Sequence, residues 1–221
     1  MLIKDTSDLS FSKINALIYA PTGYGKTSLA KTLPPKTLLV SCENGLLALK
    51  GTAIDYVEID SSNKLKSLTQ IVSEIEKSDY DTIFFDSLTE ISQAFLDYAK
   101  TKYPDDRNTM QRYGLVQDLT KAFVKKTRDL DKNVFYTCLQ KSEKDNVGRL
   151  YHRPDLVGSI RESIGAYFDF YFCLRIVVKN EKEVRVLQTQ PHDGFEAKDR
   201  SGVLNIFESP DLGQIINRVF S

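Results

Sequence analysis

The stretch Ala20-Pro21-Thr22-Gly23-Tyr24-Gly25-Lys26-Thr27 constrains this chain more than any other. It fits the phosphate-binding loop pattern G-x-x-x-x-G-K-[ST], with Ala at the first position, where the residue only turns the chain. Its flanks are those the pattern requires. Ile14 to Tyr19 reads as a short buried strand, and Lys26 to Thr32 opens a helix that Pro34-Pro35 closes. Gly23 and Gly25 let the backbone fold so that successive N–H groups point inward at phosphate oxygens. The positive end of the following helix adds its field. The expected nucleotide-binding residues are therefore Pro21, Thr22, Gly23, Tyr24, Gly25, Lys26, Thr27 and Ser28. Lys26 reaches the β- and γ-phosphates, and the Thr27 hydroxyl is a ligand for Mg²⁺. The alternative, a Gly-rich turn that binds nothing, does not explain why strand, loop, Lys-Thr and helix coincide.

The chain beyond the loop alternates between strand and helix patterns. Thr37 to Ser41 is a second β-rich run, ending in Cys42-Glu43-Asn44-Gly45, and Ile54 to Ile59 is a third. Leu65, Leu68, Ile71, Val72 and Ile75 recur at helical spacing and predict an amphipathic helix over 64–77. Asp81 to Asp86 is a fourth strand, apolar on both faces as a central parallel strand should be. Ile91, Phe95 and Tyr98 predict a helix after it. Leu115, Leu119, Ala122, Phe123 and Leu130 predict another at 111–131, and Asn133 to Leu139 is a fifth buried strand. Such alternation implies an α/β fold, a mostly parallel central sheet flanked by helices with right-handed crossovers. Gln140 to Pro154 is polar and reads as a long loop. Tyr167–Val178 and Glu183–Thr189 read as a C-terminal hairpin that extends the sheet, and Ser209-Pro210-Asp211 as the cap of a last helix. Residues 1–11 read as an N-terminal arm and 12–221 as one domain.

Composition narrows the function classes. Lys plus Arg and Asp plus Glu number 30 each, so no global basic field exists and any nucleic-acid surface must be local. Cys42, Cys138 and Cys173 lie far apart in apolar runs, which suits buried thiols in a reducing compartment. His152 and His192 lack metal-ligand spacing. Met1 to Asp5 is no signal peptide and no apolar run reaches membrane-spanning length, so a soluble cytoplasmic protein with no membrane partner is expected.

Two carboxylates complete the chemistry. Asp86 ends the fourth strand, and ligands of open α/β sheets bind at strand carboxyl ends. It is the expected partner of Mg²⁺ beside Thr27, with Ser87 adding a hydroxyl. Asp86 is not followed by Glu, as it usually is in the AAA+ class, so the general base must come from elsewhere. Glu43, just past the carboxyl end of the second strand, is the candidate, positioned to deprotonate a water facing the γ-phosphate; the competing reading is a solvated loop Glu.

In this order the motifs resemble the RecA-type ATPase core: Ala20–Thr27, then Leu38-Leu39-Val40-Ser41-Cys42-Glu43, then Thr82-Ile83-Phe84-Phe85-Asp86-Ser87. Phe135-Tyr136-Thr137-Cys138-Leu139-Gln140 is similar to the strand whose terminal Gln senses the γ-phosphate and leads into a DNA-binding loop. Ala197-Lys198-Asp199-Arg200-Ser201-Gly202 is similar to the Lys-x-Arg element that RecA-core proteins insert into a neighbour's ATP site. Small phage-encoded RecA-core proteins of recombination and single-strand annealing are the nearest in size and layout. The resemblance implies Mg²⁺-dependent ATP hydrolysis with Lys26, Glu43, Gln140, Lys198 and Arg200 as catalytic residues. It also implies a ring or filament with ATP between subunits, single-stranded DNA as partner, a single-strand DNA-binding protein as a possible second, and a bacterial host cytoplasm. Lys141, Lys144, Arg149, Tyr151 and Arg153 are the candidate DNA surface, with a second at Lys100, Lys102, Tyr103, Arg107, Arg112 and Tyr113. No residue of 141–190 is expected to bring a further cation to the chain's own phosphates, which is why the finger is assigned in trans. The alternatives are a small-molecule phosphotransferase, for which 141–153 could be misread as the lid but which the Lys-x-Arg loop and terminal hairpin do not suit, and a nucleotide-binding switch without turnover.

Overall fold

The computed structural model describes residues 12–43 and 45–221, so the expected arm at 1–11 lies outside the described residues. Every residue of β1 (Asn15–Ala20) is buried, as only a central strand covered on both faces can be. Around it stand β2 (Thr37–Ser41), β3 (Asp55–Glu58), β4 (Thr82–Asp86), β5 (Asn133–Lys144), β6 (Leu150–Pro154), β7 (Phe170–Lys179), β8 (Lys182–Gln188), β9 (Lys198–Asp199) and β10 (Phe207–Glu208). The sheet order is β10-β8-β7-β1-β5-β4-β2-β3, with β6 on β5 and β9 on β7. From β3 to β7 the neighbours are parallel, while β8 and β10 are added antiparallel. The carboxyl ends of β1, β2, β4 and β5 therefore share one rim. The expected fold class is the one observed, hairpin extension included.

Alternate strand residues face two cores. Leu17, Tyr19, Phe85 and Tyr136 pack against α1 (Lys64–Glu76), α2 (Leu88–Lys102) and α3 (Thr109–Arg128). Ala16, Ile18, Phe84, Phe135, Phe172 and Leu187 pack against a short turn at Thr27–Thr32 and α4 (Leu212–Val219). The starts of the helices are written locally. The Ser87 side chain accepts from the Glu90 N–H and Glu90 lies in the first turn, the Ser-x-x-Glu pattern of an α-helix N-terminus. Asp211, not Ser209, caps α4 by accepting from the Gln214 N–H, which leaves Pro210 before the helix. Gly213 is required where α4 meets the turn, because a Cβ there would lie 2.5 Å from the Thr32 carbonyl oxygen.

Two local expectations are corrected. The segment after the phosphate loop is a six-residue 3-10 helix, so it contributes less dipole field than a full α-helix would. Residues 140–154 are not an irregular loop. β5 runs on to Lys144 and pairs antiparallel with β6, from Gln140 opposite Pro154 to Lys144 opposite Leu150. The turn is held by Asp145, whose side chain accepts from the N–H groups of Val147 and Arg149, with Gly148 at φ 82°. A hairpin polar on both faces has no apolar alternation, the one sequence signal that would have revealed it.

Phe84 is fully buried at the centre of β4. Phe84→Ala is expected to cost about 3–5 kcal/mol of unfolding free energy in urea titration, whereas Tyr56→Ala on exposed β3 should change it by less than about 0.5 kcal/mol.

Candidate nucleotide-binding site

The chain leaves β1 at Ala20 and turns through the loop with Gly23 at φ 82° and Gly25 at φ 95°, a region that L side chains avoid. Tyr24 packs onto the cluster that contains Leu29 and Ala30, anchoring the outside of the loop. Inside it, the Lys26 ammonium folds back and donates to the carbonyls of Ala20 (3.0 Å) and Pro21 (2.9 Å). Burial lowers the pKa of this ammonium, while the nearby carboxylate of Asp86, with Cys138 and Glu43 behind it, opposes that shift.

Sheet register brings the remaining groups to the same rim. β5 stands between β1 and β4, with Leu139 beside Ala20 and Tyr136 beside Phe85. Thr137 therefore comes next to Asp86 and donates to its Oδ1. The Thr27 hydroxyl donates to Asp86 Oδ2 across β5 at 2.6 Å. On the other side, β2 and β4 are in parallel register with Ser41 beside Asp86, and the Cys42 N–H donates to the Asp86 carbonyl at 2.7 Å. This places Glu43 just beyond the rim, where the Ser87 hydroxyl donates to its Oε1 at 2.7 Å. Lys26, Thr27, Asp86, Ser87 and Glu43 are thus brought together at one rim of the sheet.

The oxygens of Thr27 and Asp86 form a hard donor pair with a single carboxylate. Mg²⁺ binds in such settings, taking its other ligands from phosphate and water. Among the described residues no group of three or more His, Cys, Asp or Glu converges into a metal cage.

The other expected residues lie elsewhere. Gln140 lies just past the buried part of β5 on the same rim, but its side chain turns along the sheet. It donates to His152 Nδ1 at 3.2 Å and Ser142 Oγ at 3.3 Å, and accepts from the Cys173 thiol. Lys198 and Arg200 flank Asp199 at and just past β9, which pairs with the amino end of β7, the opposite rim from the phosphate loop. Lys198 donates to the Gly165 carbonyl at 2.5 Å, and Arg200 is ion-paired to Asp169 at 2.7 Å. Neither reaches the chain's own phosphate loop.

Three cations of the β5–β6 hairpin have acidic partners. Lys141 lies 3.6 Å from Glu143, Arg149 is 2.8 Å from Asp145, and Arg153 lies between Glu143 and Glu196. Tyr151 donates to Glu143 and sits under the Arg153 guanidinium. Lys144 is exposed. In the second basic stretch Lys100 pairs with Asp97 and Arg107 with Asp105, while Arg112 donates to the carbonyls of Tyr103 and Pro104.

The sequence reading overlooked two residues. Thr137 was one polar residue in the apolar run Phe135 to Leu139, a signal that an acceptor lies across from it. Arg185, on β8, overturns the expectation that residues 141–190 bring no cation to the loop. A Cβ on Gly25 would lie 3.1 Å from its Nη1. Its strand is two places from β1, an adjacency invisible in sequence.

Loop, strand-end carboxylate and sheet order together define the core of a P-loop NTPase. A family model described as an AAA domain matches residues 12–201, and the chain belongs to that family. Asp86 is followed here by Ser87, and the carboxylate that Ser87 holds is Glu43.

Thr137→Val keeps the side chain's shape and removes its bond to the Asp86 carboxylate. It is expected to lower unfolding free energy by about 1.5–3 kcal/mol. Wild-type stability in chemical denaturation would mean that this hydroxyl does not hold Asp86.

Proposed function

We propose that this protein binds ATP with Mg²⁺ in the loop Ala20–Thr27 and hydrolyses it. The observation that carries the reading is the contact of the Thr27 hydroxyl with Asp86, beside a Glu43 already held by Ser87. When phosphate enters the loop, Lys26 exchanges the carbonyls of Ala20 and Pro21 for phosphate oxygens. Thr27 and Asp86 hold Mg²⁺, whose role is to offset the charge of the terminal phosphates. Glu43 orients a water at the γ-phosphate and accepts its proton, and Ser87 fixes the carboxylate's direction. The phosphotransferase alternative has less support, because 141–153, the segment that could be taken for its lid, form a paired hairpin.

The finer reading is that of a RecA-like recombination or annealing ATPase of phage type, acting on single-stranded DNA as a ring or filament. What supports it is the order of the motifs and the position of the β5–β6 hairpin immediately after Gln140. The acid-paired Lys141, Arg149 and Arg153 supply phosphate contacts only by releasing Glu143, Asp145 and Glu196. A finger in trans likewise requires Arg200 to leave Asp169.

Lys26→Ala should abolish ATP binding in calorimetry. Glu43→Gln should keep ATP bound and slow phosphate release by at least ~100-fold. Wild-type turnover in Glu43→Gln would remove Glu43 as the base. For the DNA reading, single-strand binding by the wild type and by Arg149→Ala with Arg153→Ala is compared across a salt series. Loss of two phosphate contacts should flatten the log–log salt slope by about 1.4. An unchanged slope takes the hairpin out of the DNA surface.

A further inference from the structure

The β7–β8 hairpin carries a cation to the phosphate loop from within the same chain. β1 pairs with β7 only as far as Cys173, opposite Tyr19, whereas β7 continues to Lys179. The outer half of the hairpin therefore projects past the carboxyl end of β1, on the side where the loop begins. Strand alternation decides what it presents there. Leu187 packs into the core with Ala20 and Leu29, and Arg185, two residues away, leans from the same face. Its guanidinium lies over the loop at Gly25, the residue before Lys26.

The charge environment of Arg185 sets it apart from its neighbours. Arg149, Arg153, Arg175 and Arg200 each lie against an Asp or Glu. Arg185 has no such acid among the described residues, and it is exposed. A guanidinium offers a planar fork of donors that matches phosphate geometry. Here it waits beside a loop whose N–H groups and lysine already favour negative charge, so its unmet partner is an anion entering from solvent. Gly25 is what permits the approach: its φ of 95° excludes a side chain, and a Cβ would crowd the guanidinium.

We propose that Arg185 contacts the polyphosphate of the bound nucleotide in cis, as a second cation beside Lys26. This rests on the nucleotide-binding reading above and adds to it a residue outside the loop and the strand ends. The ligand class is a nucleoside di- or triphosphate. The hairpin acts as a clamp on the loop's open side.

The test uses the full chain with Arg185→Ala, Arg185→Lys and Lys26→Ala, with ATP and ADP affinities by calorimetry. Arg185→Ala should retain the wild-type circular dichroism and melting temperature, because the side chain is exposed. Its affinity for nucleotide should fall about 10-fold or more, the loss of one charge-assisted hydrogen bond. Arg185→Lys should recover part of it. If Arg185→Ala binds as wild type does while Lys26→Ala does not bind, the inference is overturned and the nucleotide site stands. If the wild type binds no nucleotide, the proposed function fails and this inference with it. Mixing Lys26→Ala with Arg185→Ala chains separates cis from trans. Each chain carries one defect in its own site, so the mixture should stay as inactive as its parts, and restored ATPase would place the arginine in a neighbour's site and overturn the proposal.

Discussion

The Asp86 carboxylate is the point on which the site depends. It ends a strand whose other four residues are fully buried, so its charge sits where the sheet stops and solvent begins. A carboxylate in that position must be met by donors or it raises the cost of folding. Thr27 and Thr137 meet it from two different elements, and the Cys42 N–H holds its backbone from a third. That arrangement locks the phosphate loop to β4 across β5. The donors are hydroxyls rather than cations, so the carboxylate keeps its charge available to a metal ion. A salt bridge at the same place would have satisfied Asp86 and removed it from chemistry.

Which parts of this were readable in the sequence follows from the range of the signals. The loop and its flanking strand are contiguous, and their pattern is specific because each position has a separate steric or electrostatic reason. The parallel sheet followed from apolar runs separated by helical periodicity, since both act over a dozen residues. Asp86 could be placed because it ends a strand, and Glu43 because it lies just past the end of another, and parallel strands share a rim. What lay beyond reach was side-to-side order. Nothing local says that the C-terminal hairpin docks beside β1 rather than beside β3, and Arg185 matters only because it does. The hairpin after Gln140 was misread for another reason. Its residues are polar on both faces, and periodicity cannot distinguish a solvated strand from a loop.

The balanced composition has a structural counterpart. The reading of basic clusters as interaction surfaces treated Lys and Arg as free charges. In the fold Lys141, Arg149 and Arg153 have Glu143, Asp145 and Glu196 at hand, and Arg200 has Asp169. Where such pairs are exposed, as at Arg149, they contribute little to stability. Their consequence is electrostatic: they cancel the local field that would draw a polyanion from a distance. The phosphate loop is the contrast. Among the described residues its lysine is hydrogen-bonded to carbonyl oxygens alone, which have no net charge and yield readily to phosphate.

The hairpin that carries Arg185 also has a second face, and that face leads back to Gln140. Arg175 and Gln188 point away from the loop, joined at 2.6 Å. Gln188 donates to the carbonyls of Gln190 and His192, which fixes the segment bearing Phe195. Phe195 stacks on His152 at 4.0 Å beneath the Arg175 guanidinium. Burial lowers the pKa of His152, with Arg175 adding to the shift and Asp193 opposing it, and its Nδ1 faces both Gln140 and Ser142. One strand pair thus touches the phosphate loop on one side and the end of β5 on the other. These contacts are made through packed rings and paired strands, which resist independent movement. Gln140 and the arginine over the loop therefore border the same strand pair, although neither touches the other.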